Sequence, residues 1–74
     1  MYITVTMKMK DQSFDIRVDN RQVIREAEEI LRSSGRYCGG SSDFYRSLLQ
    51  CEIVSGYLSF LDAGINSGDV LAQV

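Results

Sequence analysis

Leu61 to Val74 reads LDAGINSGDVLAQV, an apolar pattern punctuated by two glycines and two aspartates. Asp62 is placed to cap a short turn with its side chain, and Gly64 supplies the left-handed backbone that a chain reversal requires. Between the turns stands one large apolar residue, Ile65, which reads as a plug pushed into the interior. Asn66-Ser67-Gly68-Asp69 makes the second turn, and Val70 to Val74 then form a final strand. The stretch leads the chain around a plug and into a sheet, and it contains no reaction chemistry.

Working outward, the opposite end carries strands of the same kind. Ile3, Val5, Met7 and Met9 alternate with Thr4, Thr6 and Lys8, and the run is rich in β-branched residues, the pattern of a half-buried strand. Lys10 to Ser13 is a short polar connection. Phe14, Ile16 and Val18 then alternate with Asp15 and Arg17, which makes the pair a hairpin.

The period changes after Val18. Asp19 with Gln22 three places on has the spacing of a helix N-terminus whose side chain and backbone satisfy one another. Ile24, Ala27, Ile30 and Leu31, helped by Val23, supply an apolar stripe at helical spacing. Arg21, Arg25, Arg32 and Arg36 fall on a different face, with Glu28 four residues before Arg32 as an expected ion pair. That basic row reads first as a solvated helix face, and second as a dock for an acidic partner. Gly35 is the expected helix stop.

Arg36 to Asp43, RYCGGSSD, has small residues and no period, so it is a loop. Phe44 to Leu49 and Ile53-Val54 are short apolar segments, read as strands separated by Gln50-Cys51-Glu52. Ser55-Gly56 marks a turn, and Tyr57 to Leu61 is only partly regular.

The length of 74 residues allows one domain, and a chain of this size buries only about 60% of the surface it exposes when unfolded. Its apolar content of 45% and charged content of 24% describe a folded unit. The order hairpin, helix, two short strands, final strand is best closed as an α+β fold with one mixed sheet and the helix across its apolar face. The last strand then lies mid-sheet, parallel to the first. That is the β-grasp arrangement.

The β-grasp order, the YITVT opening (Tyr2 to Thr6), and above all Ser55-Gly56 followed by DAGINSGDVL (Asp62 to Leu71) resemble the small bacterial ubiquitin-like proteins of the YukD/EsaB type, which accompany type VII secretion systems. The likeness runs along nearly the whole chain and is specific in its C-terminal third. Ubiquitin is similar more distantly, through an L-x-D-x-x-I turn whose places are taken here by Phe60, Asp62 and Ile65. Ubiquitin and the sulfur-carrier β-grasp proteins act through a flexible tail ending in Gly-Gly. Here the chain reads Ala72-Gln73-Val74 within or at the edge of the expected strand, and Gly39-Gly40 is internal. The resemblance with that departure implies an adaptor that is neither conjugated nor a sulfur donor.

Composition narrows the chemistry. The chain has no histidine, so Ser-His-Asp, Cys-His and histidine-based metal sites are excluded. Two cysteines give no zinc spacing. Cys38 reads as an inert loop thiol and Cys51 as a small, half-buried residue at a strand end; both are expected reduced. Asp62 and Asp69 are explained by their turns, and Gly64 and Gly68 lack the following helix of a phosphate loop. No enzyme activity, cofactor or metal is expected. A net charge of −2 and the lack of aromatic-basic interleaving set nucleic acid aside. The absence of a long apolar run and of a signal-peptide layout predicts no membrane insertion and a cytoplasmic address.

Protein binding is left. Val70, Ala72 and Val74 share one face of the final strand; if Leu71 faces the helix they line the open face of the sheet, where Leu48 or Leu49 joins them. The blander reading is scattered exposed apolar residues, which are common. The expected role is a non-enzymatic ubiquitin-like adaptor that binds type VII secretion components. The alternatives are a β-grasp carrier of sulfur or peptide and a structural homodimer unrelated to secretion. A sheet edge that accepts a strand from a partner or a second copy is a further route to association.

Overall fold

The computed structural model describes all 74 residues. Strands β1 (Tyr2–Met9) and β2 (Gln12–Asp19) are followed by helix α1 (Ile24–Ser33), then β3 (Phe44–Ser47), β4 (Glu52–Ser55) and β5 (Val70–Gln73). They build one open mixed sheet in the order β2-β1-β5-β3-β4, with β5 central, parallel to β1 and antiparallel to β3. This is the β-grasp fold.

Alternation along β1 decides which face the helix covers. Ile3, Val5, Met7 and Met9 are buried, while Tyr2, Thr4 and Lys8 are exposed on the opposite face. From α1, Ile24, Ala27 and Leu31 enter the same core, and Tyr45, Phe60, Ile65 and Leu71 complete it. The hairpin between β1 and β2 is tighter than its polar stretch suggests. Met9 pairs directly with Gln12, leaving a two-residue turn with Lys10 in the left-handed region at φ 54°.

The helix begins later than Asp19 and Gln22 predict. Asp19 folds onto Arg21, accepting from its backbone N–H at 3.0 Å and from its guanidinium at 2.9 Å. Helix α1 starts after Val23, whose N–H donates to the Glu26 carboxylate at 3.2 Å. Its first free N–H groups are met from far along the chain: Ile24 donates to the Leu58 carbonyl at 3.0 Å and Arg25 to Gly56 at 2.9 Å. The partly regular segment after β4 is therefore the helix cap, tied further by a bridge between Val23 and Ser59. At the other end Gly35 takes φ 78° and stops the helix, as its position predicts.

Two helix residues exchange the roles expected of them. Ile30 turns to the flank and is 59% exposed, whereas Glu28 is fully buried. Arg32 pairs with Glu29 at 3.0 Å rather than with Glu28.

The closing segment folds as its turns dictate, with one substitution of parts. Ser59, not Asp62, supplies the cap, its hydroxyl accepting from the Asp62 N–H at 3.0 Å; Asp62 itself is exposed. Gly64 takes φ 74°, and Ile65 is buried with its N–H on the Phe60 carbonyl at 2.8 Å. Gln50 clamps this turn from the neighbouring loop, donating to the Ala63 and Gly64 carbonyls. Gly68, at φ 93°, then passes the chain into β5.

Candidate functional site: the open face of the sheet

Leu71 is fully buried against the helix side, so Val70, Ala72 and Val74 fall on the uncovered face, as the alternation of the final strand predicts. Val70 and Ala72 are half-buried and Val74 is 63% exposed. Leu48 joins them: its N–H donates to the Val70 carbonyl at 3.0 Å, and continuing the alternation of β3 puts it on the same side. Leu49 is exposed but one residue further into the turn, where its N–H is bound to the Asp69 carboxylate at 3.1 Å. It lies beside the patch rather than in line with it.

Strand register adds neighbours that local sequence does not reveal. Lys8 and Arg46 both pair with Ala72, one from each side, and Arg46 pairs in turn with Ile53. One row across the open face therefore reads Lys8, Ala72, Arg46, Ile53. In the next rows Thr6 stands beside Val70, and Phe44 receives the Val74 N–H on its carbonyl at 3.2 Å. Phe44 and Ile53 are each about half exposed, which makes them the larger apolar members of the face. The two cations flank the smallest side chain, and neither makes an ion pair; the salt bridges involve Asp19, Arg21, Arg25, Asp43, Arg32 and Glu29 and the N-terminal amine.

The scaffold under this face is held by a buried carboxylate. Asp69 is almost fully buried; it accepts from the Ser47 hydroxyl at 2.6 Å, the Leu49 N–H at 3.1 Å and its own Val70 N–H at 2.7 Å. One side chain thus binds the end of β3, the following turn and the start of β5.

A second polar cluster lies on the covered side, beneath the Arg36 to Asp43 loop. Gln73 donates to Glu28 and to the Gly40 carbonyl, and accepts from the Tyr37 hydroxyl at 3.1 Å. The second Glu28 oxygen and the Tyr45 hydroxyl are buried without a hydrogen-bond partner. Burial, reinforced by the Glu28 carboxylate, pushes the Tyr45 phenol far above its ordinary range. Tyr37 is fully buried, so this loop is stitched down despite its glycines and serines. The cluster is closed over and joins the loop, the helix and β5.

Cys38 and Cys51 are both unpaired thiols on the surface. Cys51 is exposed rather than half-buried because it occupies the β3–β4 turn in the left-handed region, at φ 56°. The basic row on the helix is dispersed. Arg21 is taken by Asp19, Arg32 by Glu29, and Arg25 by Asp43 at 3.3 Å and by the Tyr57 ring and hydroxyl. No His, Cys, Asp and Glu cluster of three or more is placed to hold a metal ion, and no helix is long and apolar enough to cross a membrane. No protein-family model matches the chain, and no curated protein matches it.

Proposed function

We propose that the chain is a non-enzymatic ubiquitin-like adaptor of a bacterial type VII secretion system, working in the cytoplasm by non-covalent binding through the open face of its sheet. The observation that carries the binding role is the row Lys8, Ala72, Arg46, Ile53, bordered by Phe44, Leu48, Val70 and Val74. An apolar centre between two uncommitted cations suits a partner that presents an apolar surface with carboxylates at its rim. The secretion context rests on the resemblance of Ser55-Gly56 and Asp62 to Leu71 to the YukD/EsaB type.

Gln73 and Val74 are engaged in structure, which fixes the end of β5 beside the open face. The Gln73 side chain is tied to Glu28, Tyr37 and Gly40, and the Val74 carbonyl accepts from the Ser42 hydroxyl at 2.9 Å. Affinity capture from the lysate of a bacterium carrying a type VII system tests the proposal. Recovery of its ATPase or membrane components, lost when Ile53 is changed to Glu, is the expected result. Repeated recovery of none of them, or an acyl adduct or thiocarboxylate found by intact mass spectrometry, would overturn it.

A further inference from the structure

Strand β2 forms one edge of the sheet and is eight residues long, with no proline and no bulge in its pairing to β1. Natural edges are usually shortened, bulged or guarded by charges and proline; this one is long, unbroken and free of proline, and its charges, Asp15, Arg17 and Asp19, alternate in sign. The hydrogen-bond phase is set where Asn20 donates to the Met1 carbonyl at 2.8 Å. In an antiparallel ladder the residues two apart from Asn20, namely Val18, Ile16 and Phe14, then bond to β1, so Ser13, Asp15 and Arg17 turn their N–H and C=O groups outward. Water meets these groups in the monomer, and a second strand can take up the whole row in register.

The covered side of this edge is also incomplete. A groove of about 420 Å³ runs between β2 and α1, floored by Ile16, Val18, Ala27 and Leu31, with the exposed Ile30 on its rim. Phe14 and Ile16 pack against the core but are only half-buried.

We propose that β2 pairs antiparallel with β2 of a second copy, about a two-fold axis at Ile16, joining two sheets into one. Charge and overlap together select this register: an axis at Phe14 or Val18 also opposes unlike charges, Asp11 with Arg17 or Arg17 with Asp19, but overlaps only residues 12–16 or 17–19 of β2. Outward-bonding residues must face outward-bonding residues, so the axis passes through a residue and not between two. Centred on Asp15, the pairing sets Asp15 against Asp15; centred on Arg17, it sets Arg17 against Arg17 and Asp15 against Asp19. Centred on Ile16, it sets Asp15 against Arg17 twice by symmetry and overlaps the strands from Ser13 to Asp19. On the covered side the same register sets Ile16 against Ile16 and Phe14 against Val18, and brings the two grooves and both Ile30 side chains to the axis. The interface is self-complementary, as a two-fold contact must be.

The test is sedimentation of the full chain across a wide concentration range. The wild-type chain sediments as a monomer–dimer equilibrium. Asp15→Arg or Arg17→Asp alone places like charges opposite one another twice and weakens the dimer roughly tenfold or more. An equimolar mixture of the two variants restores it as a heterodimer, because the Asp15→Arg copy presents two arginines to the two aspartates of the Arg17→Asp copy. Circular dichroism checks that each variant folds, and the mixture keeps the test decisive even when one is weakened. A chain that stays monomeric at every concentration, including one whose edge serves only a foreign strand, overturns the proposal. So does a dimer indifferent to both charge changes and to their mixing. An Ile53→Glu variant retains the dimer, which separates this edge from the open-face binding role.

Discussion

Asp69 holds three segments of the chain with one side chain. Replacing it with alanine leaves the buried Ser47 hydroxyl and the Leu49 and Val70 N–H groups without their acceptor, so Asp69→Ala is expected to cost about 2–4 kcal/mol in denaturant unfolding. Tyr45 adds a dependence at alkaline pH. Its folded-state pKa is raised by burial and by Glu28, so its contribution is full below the ordinary phenol value of about 10 and is lost as pH rises beyond it, by up to about 1.4 kcal/mol per pH unit. Unfolding midpoints measured between neutral pH and pH 11 should fall more steeply for the wild type than for Tyr45→Phe. Asp19 acts at the opposite end. Hydrogen bonds from the Arg21 side chain and backbone hold its carboxyl well below the usual range, so the small stability it gives is present above about pH 4 and fades as pH falls. Because Asp19 and Arg21 are reached by solvent, added salt should shrink that contribution. Of these three residues, sequence assigns Asp69 to a turn but not to the interior. Its burial depends on Ser47, twenty-two positions earlier.

At the scale of elements, local code and distant contacts part company. The closing segment is legible because its signals are local: glycines at the two left-handed positions, one apolar residue between them, then alternation. Gly35 stops α1 for the same reason. The start of α1 is illegible because its caps are carbonyls of Gly56 and Leu58, more than thirty residues downstream. Glu28 shows the same limit, since a carboxylate at helical spacing reads as surface until Gln73 arrives from β5 to bind it. Ile30 is the converse, an apolar residue at the edge of the stripe that the core leaves out. Leu31→Ala should therefore cost about 2–4 kcal/mol and Ile30→Ala under about 0.5 kcal/mol, measured as monomer unfolding at low protein concentration.

For the molecule as a whole, the position of β5 decides what is covered and what is open. Inserted parallel to β1, it sends Leu71 beneath the helix and brings Val70, Ala72 and Val74 to the opposite face. That half of the candidate site follows from alternation alone. Lys8, Phe44, Arg46 and Ile53 do not, because they reach Ala72 and Val74 only through the strand order and the β3–β4 register. Nothing in a short window of sequence encodes either. The most direct test of binding through this face is a nuclear magnetic resonance titration of the isotope-labelled chain with the secretion-system component captured from lysate. Amide shifts should move at Lys8, Phe44, Arg46, Ile53 and Ala72 and stay fixed along α1. Shifts confined to the helix, or none at a saturating concentration of that component, would contradict the assignment.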